Sequence, residues 1–118
     1  KNAKVINRAR KICFSIANSL LVKTAIAGED ANWGRLIMAI GKTQIKLEIT
    51  KIKIYIQNFL LCKNGQGINV VDELGLSKAL KNRNIDILID LAEGDKEFTV
   101  WTSDLTEEYI KINADYRS

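Results

Sequence analysis

The sequence predicts a mixed α/β (α+β) domain in which a mainly antiparallel sheet is layered against helices. Three observations carry that expectation. Near the N-terminus Val5, Ile6, Ala9, Ile12, Cys13, Ile16, Ala17 and Leu20 recur at helical spacing. Farther on, isoleucines alternate with polar residues, most cleanly at Ile85, Ile87, Ile89 and Leu91. Turn chemistry separates these runs at Asn64-Gly65-Gln66-Gly67 and Glu93-Gly94-Asp95. With 118 residues, 47% of them hydrophobic, and no proline or low-complexity linker, residues 1–118 are expected to form a single domain.

The elements follow in order. Residues 1–20 read as a strong helix, with Lys4, Arg8 and Lys11 off its apolar stripe. Leu21 to Ala27 is a short apolar run that reads as a buried strand, although length alone does not separate it from a helix. Asp30 is the candidate N-cap of a short helix carrying Trp33, Leu36, Ile37 and Ile40, and Gly41 stands where a left-handed cap is expected. Ile45, Leu47 and Ile49 alternate in one phase and Ile52, Ile54 and Ile56 in the other, so a bulge or break is expected near Thr50–Lys51. Phe59 to Cys62 is a further strand, and a helix over about Val71–Asn82 is interrupted by Gly75. The alternating strand at Ile85–Leu91 is followed by Phe98–Thr102 as its hairpin partner. Finally, Asp104 and Glu107 have capping-box spacing and open a helix whose buried face is Leu105, Tyr109 and Ile112.

Charge is uneven along the chain. Residues 1–71 hold twelve Lys and Arg against three acids, a net of +9, whereas residues 72–118 hold six against eleven, a net of −5. The lysines at 46, 51 and 53 sit between isoleucines at strand spacing, as a solvated sheet face requires. No zinc-finger spacing, RNP-like aromatic run or Gly-Xaa-Xaa-Gly clamp accompanies them, so a nucleic-acid binder is the minor alternative. There is no histidine, which excludes a Cys/His metal site or a Cys–His nucleophile pair built from this chain. Cys13 and Cys62 read as small, buried, reduced side chains. No apolar run reaches the length of a membrane span, and the expected setting is soluble and cytoplasmic.

Two segments carry more specific information. Residues 23–35 read KTAIAGEDANWGR, and residues 101–118 read WTSDLTEEYIKINADYRS. Glu29 and Asp30 are adjacent carboxylates before a helix start, where an acid commonly just complements the helix dipole. Gly28 beside Glu29 leaves the backbone free to aim that carboxylate. Asn113 reads as a C-cap of the last helix, and Trp33, Trp101 and Tyr109 as core residues. Arg117 reads as an exposed surface residue.

Together the two segments resemble the ornithine acetyltransferase / glutamate N-acetyltransferase family of arginine biosynthesis, whose usual forms are KTAxxGEDPNWGR and WTxDLTxxYxxINADYR followed by Ser or Thr. The resemblance implies a C-terminal portion of the β subunit, within the larger ornithine acetyltransferase / DmpA-like αββα fold. It implies transfer of an acetyl group from N-acetylornithine to glutamate through a threonine acyl-enzyme. It places Glu29, Asn113 and Ser118 among the substrate contacts. No cofactor is expected to be bound, and some members also take acetyl from acetyl-CoA.

The family's nucleophile follows a self-cleavage point in an Ala-Thr-Met-Leu context that these 118 residues lack. Thr24 follows Lys23 and not alanine, so it is no substitute, and no catalytic residue or metal ligand is expected here. The implied partners are the α subunit and the N-terminal part of the β subunit, in an α2β2 heterotetramer, with ornithine, N-acetylornithine and glutamate as substrates. Two states are open: part of an active enzyme whose remainder lies in a missing or separately encoded stretch, and an inactive remnant kept as a binding or structural module. Ala31 stands where most members carry proline, at what reads as the first helical position.

Overall fold

The computed structural model describes residues 2–46, 51–63, 66–68, 72–91, 97–103 and 109–115, with side chains for all but 2–5, 97, 109, 113 and 115. The elements are α1 (Asn2–Ala17), α2 (Leu20–Ala27), α3 (Trp33–Gly41), β1 (Lys53–Ile56), β2 (Phe59–Lys63), β3 (Gln66–Gly67), α4 (Glu73–Ala79), β4 (Asn84–Asp90), β5 (Glu97–Ser103) and β6 (Tyr109–Asp115). The strands form one sheet in the order β3-β2-β1-β4-β6-β5. Every neighbouring pair is antiparallel except β4 and β6, which run parallel. The predicted class, a mainly antiparallel sheet with helices packed on it, is the observed one.

Alternation explains the core. Ile52, Ile54 and Ile56 of the β1 stretch, Ile85, Ile87 and Ile89 of β4, and Ile110, Ile112 and Ala114 of β6 are all buried on one sheet face. Ala9, Ile12, Cys13, Ile16 and Ala17 of α1 are buried against it, and α1 packs mainly on β5 and β6. The Phe14 and Phe98 rings meet with centroids 6.1 Å apart. The expected N-terminal helix stops three residues early, at Ala17. Ser19 then caps a new helix, and Leu20 is left 65% exposed.

Five expectations need correction. Residues 20–27 are helix and not strand, because the Ser19 hydroxyl accepts from the Val22 N–H at 3.2 Å and starts a turn there. Residues 109–115 are strand and not helix. Ile110, Ile112 and Ala114 satisfy a two-residue period, and β6 is bonded on both edges, to β4 and to β5. For the same reason β5 is not the hairpin partner of β4: β6 lies between them. Gly41 is the last helical residue of α3, and the left-handed position falls instead at Gln44, with φ 58°. The capping box at Asp104 and Glu107, Leu105, the turn at residues 93–95 and the expected bulge at Thr50 lie outside the described residues. Gly75 does not interrupt α4. It sits under the cap, its N–H donating to the Asp72 carboxylate at 2.8 Å, where an added Cβ would strike that carboxylate.

The β1–β2 connection was not foreseen. Gln57 and Asn58 both have positive φ, 52° and 67°, which a two-residue type I′ hairpin loop requires. The Gln57 side chain also ties the loop down. Its Nε2 donates to the Ala79 and Asn84 carbonyls, both at 3.0 Å, and its Oε1 accepts from the Asp86 N–H at 2.9 Å. Gln57→Ala is expected to cost about 1–2 kcal/mol in urea unfolding, since three partners lose their bond at a partly solvated site. Gln57→Gly should cost less than alanine, because glycine relieves the left-handed backbone.

Candidate functional site

The segment around Glu29 is built from the end of α2 and the start of α3. The Glu29 N–H donates to the Ile26 carbonyl at 3.0 Å, and the Asp30 N–H donates to the Ala25 carbonyl at 2.8 Å. These two bonds define a Schellman ending, whose left-handed position is normally glycine. Here that position is Glu29 itself, at φ 56°, while Gly28 has an unremarkable φ of −85°. The backbone freedom expected at Gly28 is thus needed one residue later, at Glu29. The glutamate holds the strained conformation, at a cost of roughly 1 kcal/mol relative to glycine, with its side chain exposed.

The next turn starts α3. Asn32 is the N-cap, and its Oδ1 accepts from the Arg35 N–H at 3.1 Å. Asp30, expected in that role, instead has its carboxylate accept from Asn32 Nδ2 at 3.3 Å. Ala31 therefore precedes the cap and is not the first helical residue. It is half-buried and packs on the core. Arg35 donates to the Leu21 carbonyl at 2.8 Å, which fixes α3 against α2.

Trp33 anchors this segment to the sheet. A Cβ added at Gly67 would lie 2.7 Å from Trp33 Cζ2 and 2.9 Å from Cε2 and Nε1, so the indole rests directly on the β3 backbone. The sequence reading gave Gly67 only a turn role. Pairing registers define one row across the sheet: Gly67, Cys62, Ile54, Ile89, Ala114 and Phe98. Asn113 is one residue from that row, in register with Leu88 on β4 and Thr99 on β5. It is thus a mid-strand residue and not a helix C-cap. Four strand spacings separate β3 from β6, about 19 Å. Trp33, four residues after Glu29, thus meets the β3 edge of the sheet, whereas Asn113 lies on the interior strand β6. Ser118 and Arg117 lie outside the described residues.

Other candidates fall away or change. The Thr24 hydroxyl donates to the Leu20 carbonyl at 2.7 Å within its own helix, as befits a residue without a nucleophilic role. Trp33 is half-buried as expected, but Trp101 is 70% exposed. It alternates with buried Val100, and strand geometry sends the two to opposite faces. The Tyr109 side chain lies outside the described ones. No helix among the described residues is long and apolar enough to cross a membrane.

Both cysteines are buried and unpaired with each other. Burial pushes the Cys13 thiol from an ordinary value of 9.0 up to about 11, partly opposed by a backbone hydrogen bond from Ala114. Burial raises Cys62 as well. At pH 8 the Cys13 thiolate population falls about a hundredfold below that of a free thiol, so slow native-state alkylation is expected, with rapid labelling in urea. The raised value has a second effect. Between about pH 9 and pH 11 the unfolded chain gives up the Cys13 proton while the native state keeps it, so this thiol makes stability decline as pH rises through that window.

The sequence matches the ArgJ family over residues 1–118. It is 52% identical over 110 residues to the arginine biosynthesis bifunctional protein ArgJ of Nitrobacter winogradskyi, covering 93% of this chain and 26% of that protein. The corresponding protein of Bradyrhizobium diazoefficiens is 47% identical over 118 residues, covering 100% of this chain and 29% of its own. The chain thus spans little more than a quarter of the length of these relatives. Among solved structures, the arginine biosynthesis bifunctional protein ArgJ of Bacillus halodurans superposes with a TM-score of 0.63 at 24% identity, over 96% of this chain and 42% of that one. That likeness concerns the fold, and the sequence relatives carry the family assignment. The chain belongs to the ArgJ family.

Proposed function

We propose that the chain is the C-terminal, β-subunit portion of a cytoplasmic acetyltransferase that moves an acetyl group from N-acetylornithine, or from acetyl-CoA, to glutamate. Its part is to recognise the amino-acid substrate through Glu29, Asn113 and Ser118. The threonine nucleophile and the oxyanion-stabilising groups come from the rest of the enzyme, in an α2β2 assembly. The observation that carries this reading is Glu29. A charged residue occupies a left-handed helix ending where glycine is about 1 kcal/mol better, and strain of that kind is kept where the side chain has a task.

The carboxylate of Glu29 then pairs with a cationic amino group of ornithine. In an enzyme reconstituted with the missing portion, Glu29→Gln is expected to lower kcat/KM for N-acetylornithine by one to two orders of magnitude, the worth of a charge-assisted hydrogen bond of roughly 1.5–3 kcal/mol. Glu29→Gly separates function from structure. It should lose activity to the same degree while raising the melting temperature, because glycine suits φ 56°. The 118-residue chain alone serves as the blank, with no transfer expected. Wild-type kinetics in both variants would leave Glu29 as a helix terminus and nothing more.

A further inference from the structure

A cavity of about 570 Å³ opens between the C-terminal half of α1, the start of α2 and the residues following α3. It lies at the far end of α3 from Glu29, about 13 Å along a nine-residue helix. Three cations line it, Arg10, Lys11 and Lys42, and no described lining residue is acidic. We propose that this cavity binds a phosphate group.

The local dipoles do not account for three cations. Residues adjoining the C-terminal ends of α1 and α3 line the cavity, each end worth about −0.5 charge, and Ser19, the N-cap of α2, brings an offsetting end of about +0.5. The remaining half charge is far below the +3 of the side chains. Several end carbonyls are also already bonded. The Asn18 N–H donates to the Phe14 carbonyl at 2.9 Å, the Lys42 N–H to the Met38 carbonyl at 3.1 Å, and the Thr43 hydroxyl to the Ile40 carbonyl at 2.7 Å. The Ser15 hydroxyl donates to the Ala39 carbonyl at 2.5 Å. Those acceptors are thereby masked from the ligand.

The donors that remain suit an anion. Ser19 Oγ accepts from the Val22 N–H, which leaves its own hydrogen to donate outward. Ser19 lines the cavity as the N-cap of α2, so the positive end of that helix, with the Leu20 and Leu21 amides behind the cap, adjoins the wall without lining it. Two lysines and an arginine add charge-assisted donors, and a phosphate presents three acceptor oxygens to them. Phe14, 42% exposed with the Arg10 guanidinium 5.5 Å from its ring centroid, supplies an apolar wall beside the cations.

The source of the phosphate is either inorganic or a nucleotide, and two probes separate them. Pyrophosphate and ADP are titrated at low salt into the 118-residue chain joined to the remainder of an ArgJ protein, with amide shifts of Ser19, Leu20 and Leu21 followed by isotope labelling of this segment. Saturable binding of either probe, weakened about tenfold by Lys11→Gln or Lys42→Gln, is the expected result. Tighter binding of ADP than of pyrophosphate, lost in Phe14→Leu, identifies a nucleotide. Equal binding identifies the phosphate alone. All three variants change exposed residues, and a thermal melt of each verifies folding. No saturable binding up to about 5 mM, or binding indifferent to both lysine variants, overturns the proposal, and the cations then serve the surrounding polypeptide.

Discussion

Ile112→Ala is expected to destabilise the fold by about 2–5 kcal/mol, the largest effect of any single change considered, measured as a loss of melting temperature of well over 5 °C. Ile112 is fully buried. It lies in register with Ile87 on β4 and Val100 on β5, at the junction that joins the two parts of the sheet. Truncation removes three carbons and leaves a void between β4, which is held by β1 on its other side, and the edge strand β5, which α1 packs against, so neither flank can close it freely. The neighbouring control is Trp101→Ala. Its side chain is larger, but it is 70% exposed and should change stability by no more than about 0.5 kcal/mol. If the tryptophan variant proves the more damaging of the two, residues 109–115 do not occupy the sheet interior.

The second large effect is expected from Gly67→Val. The added Cβ would enter the Trp33 ring at 2.7 Å, so either the indole leaves or the two-residue strand β3 peels from the edge. An overpacking cost of about 1–3 kcal/mol is expected, together with a red-shifted tryptophan emission as Trp33 gains water. The disturbance should spread to the adjoining Asn32 cap and Glu29, and in reconstituted enzyme raise KM for the amino-acid substrate. Gly41→Ala is the contrast. Nothing lies within 4 Å of its added Cβ, and alanine in a helix is favoured over glycine, so a small gain in stability is expected there.

How much of this was legible in the sequence depends on how local the deciding physics was. The strand at Ile85–Ile89 was plain because its period of two is unbroken and no competing pattern overlaps it. Residues 105–115 carry two patterns at once. Leu105, Tyr109 and Ile112 fit a helix, whereas Ile110, Ile112 and Ala114 fit a strand. Pairing with β4 and β5, which are distant in sequence or separated by a connection, decides between them. The run at Leu21–Ala27 is too short for length to separate strand from helix, and the discriminating signals are Ser19 as a cap and the i, i+3, i+4 spacing of Val22, Ala25 and Ile26 around Lys23 and Thr24. At the candidate site, the motif around Glu29 was legible as a resemblance, but its conformation was not. The sequence places a glycine one residue before the left-handed position, and only the hydrogen bonds to Ile26 and Ala25 reveal that Glu29 occupies it. The cavity beside Lys42 is invisible in the sequence for a similar reason, since Lys42, just after α3, meets Arg10 and Lys11 of α1 only in the folded chain.

The insertion of β6 between β4 and β5 bears on how the protein is born. During synthesis β5 emerges before β6, yet it has no place in the sheet until β6 arrives to join it to β4. The first half of the sheet, with its tight β1–β2 hairpin, can form on a growing chain. Its other half waits for the seven residues of β6. A parallel pairing closed late in the sequence is slow to find, and until then Ile87, Ile89 and the apolar side of β5 stand uncovered at an open strand edge. Protease protection is therefore expected to rise in a single late step, only once β6 is free of the ribosome and can pair, and the interval before that step is when the newborn chain most needs a chaperone.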